Sequence, residues 1–403
     1  MDPEYVRTLQ RWCFVIEEEL DKVLDFWQKY SHDTEHGGFF TCLDKDGKIY
    51  DETKYVWLQA RQVWMYCKLY NEVPKYANDQ ILQPALKGAQ FLLNNCLISR
   101  DGCKRCAFSV TKGGKAIKIQ RTLFSECFFV MAMSEAWRST KEEIYQDAAV
   151  TMMMQIYHWC LVDDSALGRE SLPGSVPMSS LAVPMMALCL CHQIETCAIE
   201  WSHSKATTLK DWAIGQMLNH VKRGGAKVLE NISPDGKEIS GSIGRVQIPG
   251  HTIECGWFLL RHAMKIGDDE LAEKAIQSFI SAPFEQGWDD EYGGILYFTD
   301  ADGFPPTQLE WNMKLWWPHN EAMIAFLLAY VHTKKEIFIK QFDKVAQYSF
   351  EKFVDKEHGE WFGYLHQDGR ISSRFKGATW KGCFHIPRSL LMCKQLLSEI
   401  LNK

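Results

Sequence analysis

Apolar runs that open on polar residues recur along the chain. "WLQARQVWMYCKLY" from Trp57, "GHTIECGWFLLRHAM" from Gly250, "WPHNEAMIAFLLAY" from Trp317 and "FHIPRSLLMCKQLL" from Phe384 each begin with charged or imidazole side chains and then turn almost wholly apolar. A helix that is apolar on nearly every side has to be buried. Between these runs lie amphipathic segments such as "EIFIKQFDKVAQYSF" from Glu336. The N-terminal stretch is another, with Trp12, Ile16, Leu20, Leu24 and Trp27 at helical spacing. Fully buried helices alternating with half-buried ones predict a double layer of helical hairpins.

Short β-prone stretches punctuate the helices. "DTEHGGFFTCLDKDG" from Asp33, "DDEYGGILYFTDADG" from Asp289 and "DKEHGEWFGYLHQDG" from Asp355 share one frame, namely Asp33/Gly37/Asp46, Asp289/Gly293/Asp302 and Asp355/Gly359/Asp368. Their Asp-Gly pairs predict small hairpins, with Asp101-Gly102 and Asp235-Gly236 as weaker members. The interval from Asp289 to Asp355 is 66 residues, and that from Asp33 to Asp289 is 256, close to four units. A period near 65 fits about six times into 403 residues, so each repeat is one supersecondary unit. The expected fold is all-α, an (α/α)6 barrel of six helical hairpins with short β-hairpin loops at one end, forming a single catalytic domain over 1–403. The chain lacks the strand–helix alternation of a TIM barrel.

The same period aligns polar residues. Arg61, Glu126, Glu254, Glu321 and Arg388 fall in one column, separated by 65, 128, 67 and 67 residues. The missing member falls in "GSVPMSSLAVPMM", where Ser180 is the nearest polar candidate, and His251 and His385 each stand three residues before their column member. Glutamate in a first helical turn suits the macrodipole, but arginine there opposes it. Pro249, Pro318 and Pro387 suit helix openings. A ring of charged residues and imidazoles at one end of a barrel predicts a site, with Trp57, Glu126, Ser180, Trp317, His319 and Trp380 as substrate-binding candidates.

Three chemistries compete for this ring. A metal is disfavoured: His251 and Glu254 lie at i, i+3, but the HExxH spacing is absent and nearby arginines repel a cation. Glu254 and Glu321 form a carboxylate pair of the kind glycoside hydrolysis uses, yet two histidines and two arginines are surplus to that mechanism. Two facing imidazoles suit proton removal from carbon beside a carbonyl and its return on the opposite face. Neighbouring arginine and glutamate would stabilise the enolate and set the tautomers. This is epimerisation or aldose–ketose isomerisation, with no metal or redox cofactor.

Composition narrows the class. Net charge is only −6 with both signs interspersed, so no basic face argues for nucleic acid or an anionic membrane. Fifteen tryptophans are ample for stacking against sugar rings as well as for core. No apolar run reaches the ~18 residues of a membrane span, and the N-terminus lacks the form of a signal peptide. The expectation is a cytoplasmic protein whose fourteen cysteines are reduced thiols. Cys103 and Cys106 form a lone CxxC, and Asn231 heads a sequon that an unexported chain does not use.

"KYVWLQARQVWMYCKLY", "PGHTIECGWFLL", "MKLWWPHNEA" and "WKGCFHIPR" resemble the N-acylglucosamine 2-epimerase family. The likeness runs over essentially the whole chain and is strongest to the animal members, also known as renin-binding proteins. It implies an (α/α)6 barrel that interconverts N-acetylglucosamine and N-acetylmannosamine through the open-chain sugar. His251 and His385 would be the acid/base pair, either one serving either direction, Arg61 would hold the enolate, and Glu254, Glu321 and Arg388 would support them. It further implies a homodimer, renin binding, and ATP or a related nucleotide as an activator that is not consumed. "TKGGKAIK" lacks P-loop spacing, which leaves the loop Ser165 to Ser175 as the candidate nucleotide contact. "LAVPMMALCLCHQIETCAIEW" reads equally as a subunit interface or as core. The alternatives are a related mannose isomerase or cellobiose 2-epimerase, or a non-catalytic renin-binding protein.

Overall fold

The computed structural model describes residues 2–100, 102–169 and 172–402. Asp101 of the expected Asp-Gly turn, and Glu170 and Ser171 of the expected nucleotide loop, lie outside them. Among the described residues the long helices form two concentric layers. The outer layer comprises α1 (Pro3–Tyr30), α3 (Asp79–Asn95), α5 (Glu143–Leu161), α7 (His203–Asn219), α9 (Asp269–Lys274, continuing through a π-helical stretch Ala275–Ser281 into Ala282–Gly287) and α11 (Ile337–Lys352). The inner layer comprises α2 (Val56–Glu72), α4 (Phe124–Thr140), α6 (Ala182–Thr196), α8 (Pro249–Ile266), α10 (Trp316–Thr333) and α12 (His385–Leu401).

Each inner helix packs on the outer helix that follows it, and α12 packs on α1, so the first and last helices complete the sixth hairpin. This is the (α/α)6 barrel expected from the period. Sequence explains the layering: in α10 every residue from Trp316 to Tyr330 is buried, whereas α1 buries only one stripe through Leu9, Trp12, Ile16, Leu20, Leu24 and Trp27. Helix α6, the segment that read as either interface or core, is an inner helix buried from Pro184 to Ile194.

The two ends of the barrel differ. Inner-to-outer turns are tight, and Lys141, Gly267 and Lys334 end α4, α8 and α10 in left-handed conformation. Outer-to-inner links are long and carry all the short β pairs. Asp46-Gly47 and Asp368-Gly369 sit in the expected hairpins, Cys42–Leu43 with Ile49–Asp51 and Tyr364–Leu365 with Ile371–Ser373. Asp302-Gly303 and Asp235-Gly236 do not. Thr299–Asp300 pairs instead with Val246–Gln247, and Asn231–Ile232 with Ser179–Ser180. The physical reason at Asp302 is the following "FPP", whose prolines lack the N–H that a returning strand must donate.

The repeated Asp-xxx-Gly frame is a structural clasp. Asp33 Oδ1 accepts the backbone N–H groups of Glu35 and His36, both at 3.0 Å, and its Oδ2 accepts from buried Lys54 at 2.7 Å. Asp289 repeats this with Glu291, Tyr292 and Lys314, and Asp355 with Glu357, His358 and Lys376. Lys54 and Lys314 stand just before α2 and α10, so the clasp fixes where those inner helices begin. The third clasp adds Glu360, held at positive φ where its counterparts are Gly38 and Gly294. Its carboxylate takes Lys381 Nζ at 2.7 Å and the indole N–H of Trp27 at 2.5 Å, tying the last loop to α1.

Candidate active site

The β-bearing end of the barrel opens into a cavity of about 610 Å³ formed by the starts of the inner helices. Trp57, Arg61, His251, Glu254, Trp317, Trp380, His385 and Arg388 line it, so eight of the sequence candidates converge there. Trp317 packs on both imidazoles, its ring centroid 5.1 Å from that of His251 and 6.0 Å from that of His385. Trp380 is 53% exposed and packs on Trp57 at the cavity.

The two histidines sit in opposite electrostatic settings. His385 Nδ1 donates to Glu321 Oε1 at 2.7 Å, which leaves Nε2 as the lone-pair nitrogen. Burial, then the guanidinium groups of Arg388 and Arg61, hold its pKa well below the ordinary imidazole value. His251 Nδ1 donates to Glu230 Oε2 at 3.1 Å. Burial opposes protonation there too, but the Glu230 carboxylate, reinforced by Glu254, outweighs it and the pKa stands above ordinary. The surroundings therefore favour the neutral ring at His385 and the imidazolium at His251.

Two arginines complete the floor. Arg388 donates through Nη2 to Glu254 at 3.0 Å and to Glu321, and Glu321 also accepts the Trp257 indole N–H at 3.0 Å. Glu321 thus acts from behind His385 and does not line the cavity. Ligand atoms of Glu254, Glu321 and His385 lie within 4.8 Å of one another, but the Arg388 guanidinium bonds both carboxylates and occupies the place of a cation. Arg61 differs: its guanidinium is stacked among Trp57, Phe128 and Phe384 at 4.4, 4.1 and 4.7 Å, with no carboxylate among the described residues within ion-pair reach and Nε unpartnered. Burial pushes its pKa down to about 9 despite the fields of Glu254 and Glu321. A buried, unpaired cation is costly, and this one faces the cavity.

Three candidates lie elsewhere. Glu126 is fully buried and accepts from Arg105 Nε at 2.8 Å and Cys106 N at 2.9 Å, locking a β loop onto α4. It is the third residue of its helix, whereas Arg61, Glu254 and Glu321 are the sixth of theirs. His319 bonds Leu315 O at 2.6 Å and Ile295 N at 2.9 Å, and burial lowers its pKa to about 3, so it is a neutral structural ring. Ser180 faces a neighbouring cleft, donating to Glu230 Oε1 at 3.1 Å, and so reaches His251 only through that carboxylate.

Glu230, Tyr297 and Tyr364 were missed by sequence reasoning. They sit in the β-bearing links, which have no fixed register against the helical period, so the column could not find them.

The profile of the N-acylglucosamine 2-epimerase (GlcNAc 2-epimerase) family matches residues 38–387. The chain belongs to this family. The mouse N-acylglucosamine 2-epimerase is 51% identical over 396 residues, covering 98% of this chain and 94% of the relative. The human protein of the same name is also 51% identical, covering 98% and 92%. Among solved structures, the cellobiose 2-epimerase of Bacillus thermoamylovorans superposes with a TM-score of 0.82 at 19% identity, covering 96% of this chain and 99% of that one. A D-mannose isomerase superposes at 0.81 and 18% identity, covering 95% and 97%. These last two share the fold of this family member. No described helix is long and apolar enough to cross a membrane.

Proposed function

We propose that this chain, acting as one catalytic unit, interconverts N-acetyl-D-glucosamine and N-acetyl-D-mannosamine by proton exchange at C2 of the open-chain sugar. The observation that carries the reading is the asymmetric pair of histidines, both packed on Trp317 and lining one cavity with Arg61. Neutral His385 takes the C2 proton at Nε2. The C–H electron pair moves into the C1–C2 bond and the carbonyl pair onto O1, where the Arg61 guanidinium meets the new charge. The His251 imidazolium then delivers its proton to the opposite face of C2. Each turnover moves one proton from His251 to His385, and solvent exchange restores the pair.

Full-length identity to relatives named N-acylglucosamine 2-epimerase favours the amino sugar over mannose or cellobiose. Every group in the proton transfer comes from one chain. The implied homodimer is then a matter of assembly, and the implied nucleotide an activator outside the chemical step. A purely renin-binding role gives no use for a buried unpaired guanidinium beside two oriented imidazoles. Incubation with N-acetylglucosamine in D2O tests the reading: deuterium at C2 with N-acetylmannosamine appearing is expected, and no exchange with or without ATP would sink it.

A further inference from the structure

Helix α6 gives the cavity only apolar side chains, Ala182, Met185, Met186 and Cys189. The polar group at its head, Ser180, lines a neighbouring cleft instead. Its hydroxyl nevertheless stands only two hydrogen bonds from an imidazole of the pair. Glu230 is 7% exposed and divides its carboxylate oxygens: Oε2 accepts His251 Nδ1–H and Oε1 accepts the Ser180 hydroxyl, each at 3.1 Å.

The backbone holds this arrangement from both sides. Leu181 N–H, just before α6, donates to the Glu230 carbonyl at 2.9 Å, and Glu230 N–H donates to Val246 O, shortly before α8, at 2.9 Å. Asn231–Ile232 continues the pairing with Ser179–Ser180. Glu230 therefore bridges the heads of α6 and α8, and Ser180 is fixed opposite it. The Ala182 N–H, the first of α6, faces Ser180 Oγ at 3.4 Å. A lone pair of the hydroxyl meets that donor, and its proton is left for the carboxylate.

An O–H donor on one oxygen does two things to a buried carboxylate. It stops the group from swinging, and it takes up part of the negative charge that the other oxygen presents to His251. The other titratable groups facing Glu230 are the His220 ring, the Cys255 thiol and the Tyr297 phenol. Those facing His251 besides Glu230 are Glu254 on its own helix and His385 across the cavity. Among the described residues, Ser180 and His251 are the side chains bonded to the Glu230 carboxylate.

Building on the epimerase reading, we infer that Ser180 is a positioning residue for the acid half of the reaction: its hydroxyl fixes the Glu230 carboxylate on His251 Nδ1 and sets how tightly the imidazolium keeps the proton it gives to C2. Without the hydroxyl, Glu230 keeps more of its charge for His251, and the imidazolium becomes a weaker acid.

The test compares Ser180→Ala and Ser180→Thr with the wild type in C2 epimerisation of N-acetylglucosamine across pH. Ser180→Ala is expected to move the alkaline limb of kcat/KM up by about half to one pH unit and to lower kcat about tenfold, with KM within about twofold. Ser180→Thr keeps the hydroxyl and is expected to restore both. The double variant Ser180→Ala/Glu230→Gln is expected to behave as Glu230→Gln alone, because the hydroxyl then has no charge to act on. A role confined to capping α6 would lower Tm and leave the limb in place. Titration of His251 by 15N NMR of the full-length protein, its signal assigned with His251→Asn, reads the same acidity without turnover. A limb and a His251 titration that stay put in Ser180→Ala, or move downwards, overturn the role of Ser180. Ser180→Cys, whose thiol is a weak donor, is expected to shift both in the same direction and decides the matter if Ser180→Ala does not fold. Absence of C2 exchange in the wild type overturns the epimerase reading instead, and the His251 titration still decides whether Ser180 acts through Glu230.

Discussion

The Glu321 carboxylate holds His385 by its Nδ1–H at 2.7 Å, from a position fully closed to solvent. This bond decides which nitrogen of His385 carries the lone pair. Glu321→Gln keeps the shape but presents an amide that can impose the other tautomer. The expected result is a fall in kcat of about 10²–10⁴-fold with a smaller change in KM, the range general-base catalysis commands. A variant with near-wild-type kcat would show that the tautomer is fixed by something else.

The pH dependence follows from the two opposed shifts. His385 has its pKa lowered, so it loses its proton well below 6.5 and is the neutral base above that. His251 has its pKa raised, so its proton is kept through 6.5 and lost only as pH climbs past the raised value. kcat/KM should therefore form a bell whose acid limb lies well below 6.5 and whose alkaline limb lies above it. Glu230→Gln removes the field that supports the imidazolium and should move only the alkaline limb, towards lower pH. Both reaction directions should give the same bell, since both use the pair with one shared proton. An alkaline limb that stays in place in Glu230→Gln refutes the assignment.

Arg61 is predicted to trade stability for activity. Replacing it with methionine removes an O1 partner and should cost about 10²–10³ in kcat. The same change removes a buried charge that has no counterion, so thermal stability should hold or rise. A lower Tm would mean that its stacking on Trp57, Phe128 and Phe384 outweighs the desolvation.

The closing loop should be fragile in the opposite sense. Lys381→Met leaves the fully buried Glu360 carboxylate without its cation. The expected loss is about 3–5 kcal/mol, read from urea denaturation. Lys394→Met breaks a solvent-exposed pair with Glu17 and should cost no more than about 1 kcal/mol. Equal effects in the two variants would contradict the role given to burial.

Much of this architecture was legible because one period governs both layers. Helix starts recur near every 65 residues, so Arg61, Glu254 and Glu321 could be aligned without coordinates. The alignment failed where a polar residue shared the segment but not the register. His319 stands two residues before Glu321, about 200° away around the helix, and so points at the opposite wall. Glu126 is three positions early on its own helix. The gap in the column, for which Ser180 seemed the nearest substitute, was itself informative: α6 is where the cavity turns apolar. Glu230 was beyond reach because its approach to His251 depends on Asn231–Ile232 pairing with Ser179–Ser180 across about fifty residues. No local pattern encodes that distance.

The pairing of α1 with α12 has a last consequence. Residues Trp27 and Glu360, and Glu19 and Trp361, meet across more than three hundred positions of chain, directly behind the helix that carries His385 and Arg388. A chain with its other five hairpins correctly formed would already hold Arg61, Glu230 and His251, and would lack only the histidine proposed as the base. On the proposed two-histidine chemistry, proton exchange would require the closed circle, and a partly folded molecule would stay inert towards sugar aldehydes until its two ends had found each other.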